Sequence, residues 1–193
     1  MKENMFKIAN IQTRESDRDF KEISGVFEDM SFSVMVKKTN SNQLDSNIDD
    51  MIIEALSKHY NVAELKSELL VHADGDKVGE LDVVFHNDAG ISYYMEIEKS
   101  NKKTLWFDYI KILTKLEEDP EGRGIIMCPT NYAHKVGIWN LYKEAVLYKN
   151  HLKRVFGGSA LNRVAVIGYT QYAYLDGQWN EYDPKVVQRI KNT

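Results

Sequence analysis

The chain has 193 residues, 43% of them hydrophobic and 28% charged, with a formal net charge of −4. That length can bury an apolar core as one domain spanning residues 1–193, and the composition excludes collagen-like, low-complexity and disordered classes. The acidic balance gives no global attraction to nucleic acid, so a DNA-facing surface would have to be a local basic patch. The single cysteine, Cys128, excludes an intrachain disulfide. Within the apolar run "GIIMCP" it reads as a buried thiol in a reducing, cytoplasmic compartment. No signal-like apolar segment opens the chain, and no run reaches the ~18 apolar residues of a membrane span, so no membrane partner is expected.

In chain order, Phe20, Ile23, Val26, Phe27 and Met30 fall at helical spacing, interrupted by Gly25. "FSVMVKK" has the β-branched alternation of a strand, and the polar "TNSNQLDSN" leads to a helix capped by Ser46 or Asn47. That helix, "IDDMIIEALSKHY", carries a core stripe of Ile48, Met51, Ile52, Ala55 and Leu56 and leaves Glu54 to one side. Three short strands follow between residues 64 and 99, divided by turns at "DGDK" and "NDAG", and the pattern predicts an antiparallel meander.

Beyond Ser100 or Asn101 as cap, the spacing predicts a helix over 102–118 with Leu105, Trp106, Tyr109, Ile110, Leu113 and Leu116 on its core face. "RGIIMCP" is a continuous apolar run, the pattern of a strand buried on both faces and paired in parallel after a helix crossover. Residues 130–156 read as a second long helical region, and "RVAVIGYTQYAYL" as a last core strand. The order predicts an α/β sandwich with a mixed central β-sheet flanked by helices.

The chemistry concentrates in "GELDVVF" and "MEIEKSN". Residues i and i+2 of a strand share a face, so Glu96 and Glu98 project together while Ile97 points into the opposite layer. A hairpin turning at "NDAG" places Asp82 as a cross-strand neighbour of Glu96, so three carboxylates converge. Like charges that close need a proton or a cation among them. An oxygen-only donor set suits Mg²⁺, which keeps several waters and takes a few carboxylates plus a substrate phosphate, and this points to phosphodiester hydrolysis. An exposed acidic sheet face paired with lysines is the alternative meaning of the same residues.

Asp82 followed by Glu96-Ile97-Glu98, then a helix and a buried strand, resembles the PD-(D/E)xK nuclease superfamily, in the E-x-E variant of restriction endonucleases of the BamHI type. "MEIEKSN" is similar to that group's Met-Glu-aromatic-Glu-Thr-Gly-Asn stretch, and "IIMCPTNYA" to its Ile-Leu-Met-Pro strand and following helix. The resemblance runs over roughly residues 20 to 175, and it implies a restriction-endonuclease-like three-layer sandwich with its catalytic core at about 46–170.

It further implies Asp82 and Glu96 as metal ligands, with Glu98 ligating the ion or orienting the attacking water. An upstream carboxylate completes such sites, here Glu54 or its competitor Glu68. One or two Mg²⁺ ions per site, double-stranded DNA as substrate, 5′-phosphate products and a homodimer with two cutting sites follow from the same resemblance. Leu81 stands where the superfamily pattern has proline. Lys99 is one residue out of register for the usual lysine, so strand parity turns it away from Glu98 toward a phosphate or an outer carboxylate. Lys99, Lys102 and Lys103 adjoin the site as DNA contacts, although Lys99, Lys102, Lys103, Lys111 and Lys115 also suit the solvated face of an amphipathic helix. Lys149, Lys153 and Arg154, among tyrosines on the last long helix, form a second basic surface for DNA, with Tyr142, Leu147 and Phe156 read as packing residues. Three functions remain open on these residues: a type II restriction enzyme of a restriction-modification pair, a repair or phage-type nuclease of the same fold, and a DNA-binding protein that kept the fold without catalysis.

Overall fold

The computed structural model describes residues 4–28, 30–34, 37–38, 44–45, 48–134 and 137–192. The first half holds β1 (Asn4–Thr13), α1 (Arg18–Val26), β2 (Ser31–Val34), the short pair β3 (Lys37–Lys38) and β4 (Leu44–Asp45), α2 (Ile48–Ser57) and β5 (Asn61–Val62). After these come α3 (Lys66–Leu69), β6 (Leu70–Ala73), β7 (Asp76–Glu80), β8 (Val83–His86), β9 (Ser92–Ile97) and α4 (Leu105–Glu118). The chain closes with β10 (Arg123–Pro129), β11 (Tyr132–His134), β12 (Gly137–Trp139), α5 (Leu141–Phe156), β13 (Val164–Leu175), β14 (Gln178–Glu181) and α6 (Pro184–Asn192). The expected caps Ser46 and Asn47 lie outside the described residues.

One mixed sheet organises the chain, in the order β2-β1-β13-β10-β9-β8-β5, with β14 paired to β13. The strands β9, β10 and β13 are parallel, because α4 and α5 carry the chain back between them. The flanking pairs β8–β9, β5–β8, β1–β13 and β1–β2 are antiparallel.

Alternation along the central strands sends their side chains into two separate cores. Ile125 and Met127 of β10, with Met95 and Ile97 of β9, pack against Phe20, Ile23, Ile52 and Leu56 of α1 and α2. Ile126 and Cys128 face the other way, onto Leu105, Tyr109, Ile112 and Leu116 of α4 and Leu141, Ala145 and Leu152 of α5. Helices therefore cover both faces of the sheet, and the apolar run at 123–129 is the strand buried on both sides. Gly124 makes the close approach possible, since a Cβ there would stand 2.4 Å from Ile112 Cγ2. Among the described residues no helix is long and apolar enough to cross a membrane.

The structure departs from the sequence expectations at several places. The segment 4–13, for which no element is expected, is a ten-residue strand whose partner β13 lies far downstream, with Phe6 opposite Ala173. The expected three-stranded meander is four strands, of which β6 and β7 form a separate ribbon while only β8 and β9 join the main sheet. The long helix expected from residue 130 is a β-hairpin, β11–β12, followed by α5. Gly137 at φ +145° opens β12, and the Asn140 side chain starts α5 by accepting the Lys143 N–H at 2.8 Å.

The helix α4 is also rotated relative to expectation. Trp106 and Ile110 are 36% and 50% exposed, and the inner stripe is Leu105, Asp108, Tyr109, Lys111, Ile112 and Leu116. Trp106 stacks instead on Tyr148 of α5, ring centroids 4.5 Å apart. Two charged side chains thus lie under the helix, against the sheet.

Candidate active site

Asp82 immediately precedes β8, and Glu96 is next to last in β9. Val83 pairs with Met95, so one further step of the antiparallel ladder sets Asp82 opposite Glu96. The Asp82 Oδ2 accepts the Ile97 N–H at 2.7 Å, which ties that carboxylate to the neighbouring strand. Asp82 is exposed whereas Glu96 is 3% exposed, so one acid of the pair faces solvent and the other the interior.

What meets Glu96 is a lysine the sequence places on a solvated helix face. Lys111 Nζ lies 2.6 Å from Glu96 Oε1 and 3.4 Å from Asp108 Oδ1, and it donates to the Glu80 carbonyl at 3.1 Å. Its stem runs over Gly79, where an added Cβ would be 3.0 Å from Lys111 Cδ. Burial pulls the Lys111 ammonium down, but Glu96 and Asp108 more than offset this and leave it raised. Burial, with Asp82 beside it, pushes Glu96 well above the usual carboxylate range, and Lys111 pulls it partly back. Asp108 is raised for the same first reason, burial, with Glu98 and Asp82 adding to it and Lys111 opposing.

The upstream helix supplies a third acid, Asp49 in the first turn of α2. It pairs with Lys99, and burial outweighs that lysine and the nearby Asp82 adds to it, leaving its carboxyl raised. Asp82 is thus the common neighbour of Asp49, Glu96 and Asp108. Asp49 Oδ1 and Asp108 Oδ2 are buried with no hydrogen-bond donor among the described residues, and Glu96 Oε1 meets Lys111 without hydrogen-bond alignment. Buried carboxylate oxygens in that state are costly unless a cation or a proton reaches them.

Glu98 shares the face of Glu96, but its carboxylate turns to the start of α4. It accepts the N–H groups of Ser100 and Asn101, each at 2.8 Å, and the Thr104 hydroxyl. Glu54 is exposed and bridges to Lys58 at 3.2 Å; five residues beyond Asp49, it stands about 140° around the helix. Glu68 stands 3.9 Å from His86. Neither joins the group around Asp82. Lys99 lies beyond the end of β9, where strand parity no longer sets its direction, and it reaches Asp49 rather than Glu98.

Lys102 lies 3.9 Å from Glu144 and over the Trp139 ring, and Lys103 is exposed. Lys149, read from sequence as a DNA contact, is 4% exposed and paired with Glu15, whereas Lys153 is half-buried and Arg154 exposed.

Among the described residues, no group of three or more His, Cys, Asp or Glu side chains is close enough to enclose a metal ion. Mg²⁺ asks for less than an enclosing group, since one or two carboxylates beside substrate phosphates and water commonly hold it. Asp82 and Glu96, opposite each other on adjacent strands, are the two carboxylates that could hold such an ion beside a substrate phosphate. Sequence reasoning missed Asp49, Asp108 and Lys111. A signal for the last two was present: they stand at i and i+3 within the stripe of Leu105, Tyr109 and Ile112. Compared with protein-family models, with curated proteins and with solved structures, the chain matches none of them.

Proposed function

We propose that the protein is a Mg²⁺-dependent endodeoxyribonuclease of the type II restriction kind, hydrolysing phosphodiesters of duplex DNA to leave 5′-phosphates. The observation that carries this is the apposition of Asp82 and Glu96 on neighbouring strands, with the Lys111 ammonium against Glu96. The chain order supports it: α2, the strands up to β9, the crossover α4 and the parallel β10 follow the succession that the E-x-E resemblance implies, with helices on both faces as in a restriction-endonuclease-like sandwich.

Each residue then has a task. Asp82 and Glu96 would hold the ion, whose chemistry is to lower the pKa of water and offset charge on the phosphate. Lys111 compensates Glu96 while the site is empty of substrate and presents a positive charge where the phosphoryl oxygens gain negative charge. Asp108 and the Glu80 carbonyl hold that ammonium in place. Asp49 keeps Lys99 at the rim, near an approaching DNA backbone. Cutting both strands of a palindrome calls for two such sites and hence a C2 homodimer. In this reading Lys111 would stand in for the lysine that the superfamily pattern has where this chain has Glu98.

Supercoiled plasmid with Mg²⁺ tests this proposal. Discrete linear products from the wild type, lost in Asp82→Ala and Glu96→Ala, support it; degradation without sequence preference redirects it to a repair or phage-type nuclease. One observation favours a second reading, a DNA-binding protein without catalysis: Glu98 is committed to the start of α4. Duplex binding with intact plasmid in both Mg²⁺ and Mn²⁺ selects that reading.

A further inference from the structure

A second charged site lies between α5 and the end of β1. Val146, Lys149, Asn150 and Lys153 form one stripe of α5, spaced i, i+3, i+4 and i+7, and they face Arg14, Glu15 and Val166 across a cavity of about 110 Å³. Lys149 is 4% exposed, its Nζ lying 2.5 Å from Glu15 Oε1 and donating to the Val164 carbonyl. Arg14 lies against the Tyr142 hydroxyl, a neutral partner. Three cationic side chains therefore line the cavity with one carboxylate between them.

Size restricts the ligand. At ~30 Å³ for each water in the liquid, the cavity has room for a few waters. Clefts that enclose whole small molecules run to about 300–1,000 Å³. A tetrahedral oxyanion fits such a space and a base with its sugar does not. The charge arrangement restricts it further: burial holds Lys149 below its ordinary value, Glu15 opposes this only in part and the neighbouring Lys153 adds to it, so two like charges stand near each other at the cavity.

We infer that this cavity binds a single phosphate group through Arg14, Lys149 and Lys153, with Glu15 as the resident carboxylate that the anion displaces from Lys149. Arginine and lysine donors together give such an anion both a planar fork and point charges. The inference does not rest on the nuclease reading, because it uses none of the residues assigned to the cleavage site and needs no cleavage.

Calorimetric titration of the full chain with inorganic phosphate, against sodium chloride at matched ionic strength, tests it. Phosphate binds saturably; Arg14→Gln with Lys153→Gln weakens it at least tenfold, and Glu15→Gln tightens it severalfold by removing the competitor. Should the double variant not fold, the gain in Glu15→Gln decides. Equal heats for both salts, or affinities within twofold of wild type in the folded variants, overturn the site. Competition identifies the source of the group: displacement by a short duplex assigns it to a nucleic-acid backbone, and displacement by a 5′-mononucleotide alone to a free phosphate ester.

Discussion

Replacing Lys111 by methionine keeps the aliphatic stem that packs over Gly79 but deletes the ammonium that faces Glu96 and Asp108 and lies over the Phe107 ring. Breaking a buried pair from one side costs about 3–5 kcal/mol when the partner stays charged. Burial already holds Glu96 well above the usual carboxylate range in the folded chain, so it keeps its proton at neutral pH, and the charge that the substitution strands is that of Asp108, raised only to about 6. Holding Asp108 neutral costs about 1.4 kcal/mol per pH unit above that value, which is about 2 kcal/mol at pH 7.5 and close to nothing at pH 5.5. Lys111→Met is therefore expected to lose about 2 kcal/mol at pH 7.5 and less than half of that at pH 5.5. Urea denaturation measures it as a lowered midpoint at unchanged slope. Asp108→Asn removes the stranded charge, so the double variant Lys111→Met/Asp108→Asn recovers about 1 kcal/mol or more relative to the sum of the single losses. Additivity within about 0.5 kcal/mol, or a Lys111→Met loss that does not shrink at pH 5.5, refutes the pairing on which the site is built.

Gly79→Ala presses a methyl against the Lys111 stem, so it is expected to reduce cleavage about tenfold while the denaturation midpoint moves little; an unchanged rate would show that the ammonium position is not critical. Burial raises Glu96 and Asp108 in the folded chain, so their contribution to stability is present in full below the unfolded values of 4.5 and 3.8 and is lost as pH rises toward the folded ones. The wild-type midpoint minus that of Glu96→Gln accordingly falls between pH 5 and pH 8 in metal-free buffer, and a difference that rises or stays flat contradicts the assigned direction. Glu98→Gln keeps its one amide oxygen as the acceptor for Ser100 and Asn101, while the Thr104 hydroxyl retains the Asn101 carbonyl, so the fold should stay intact with about 1 kcal/mol lost from the weakened charge-assisted bonds. Cleavage within threefold of wild type in that variant would mark Glu98 as structural, and a loss of a hundredfold or more would return it to the chemistry.

How far the sequence alone reached differs by element. The pairing of Asp82 with Glu96 was legible because the "NDAG" turn is local and the count of residues from it sets the register. The two-faced burial of β10 was legible from an uninterrupted apolar run flanked by a helix. β1 was not, since adjacent apolar residues (Met5-Phe6 and Ile8-Ala9) break a strand's alternation and its longer pairing, with β13, spans more than 150 residues. The β11–β12 hairpin hid because its two strands are three residues each, too short for helix and strand periodicities to be told apart. Lys111 was misread because a lysine on an amphipathic helix is solvated by default. Only its place beside Asp108 in the inner stripe of α4 distinguishes it from Lys115. The upstream acid was sought at Glu54, on the correct helix but on its outer face, while Asp49 in the first turn reaches the sheet.

The central claim is that Asp82, Glu96 and Lys111 form one phosphodiester-hydrolysing site, and the most direct measurement is the single-turnover cleavage rate of duplex DNA in Mg²⁺ for wild type, Glu96→Ala and Lys111→Met. Cleavage by the wild type with losses of a hundredfold or more in both folded variants is the predicted result. No cleavage by the wild type in Mg²⁺ or Mn²⁺, or cleavage that survives Glu96→Ala, contradicts it.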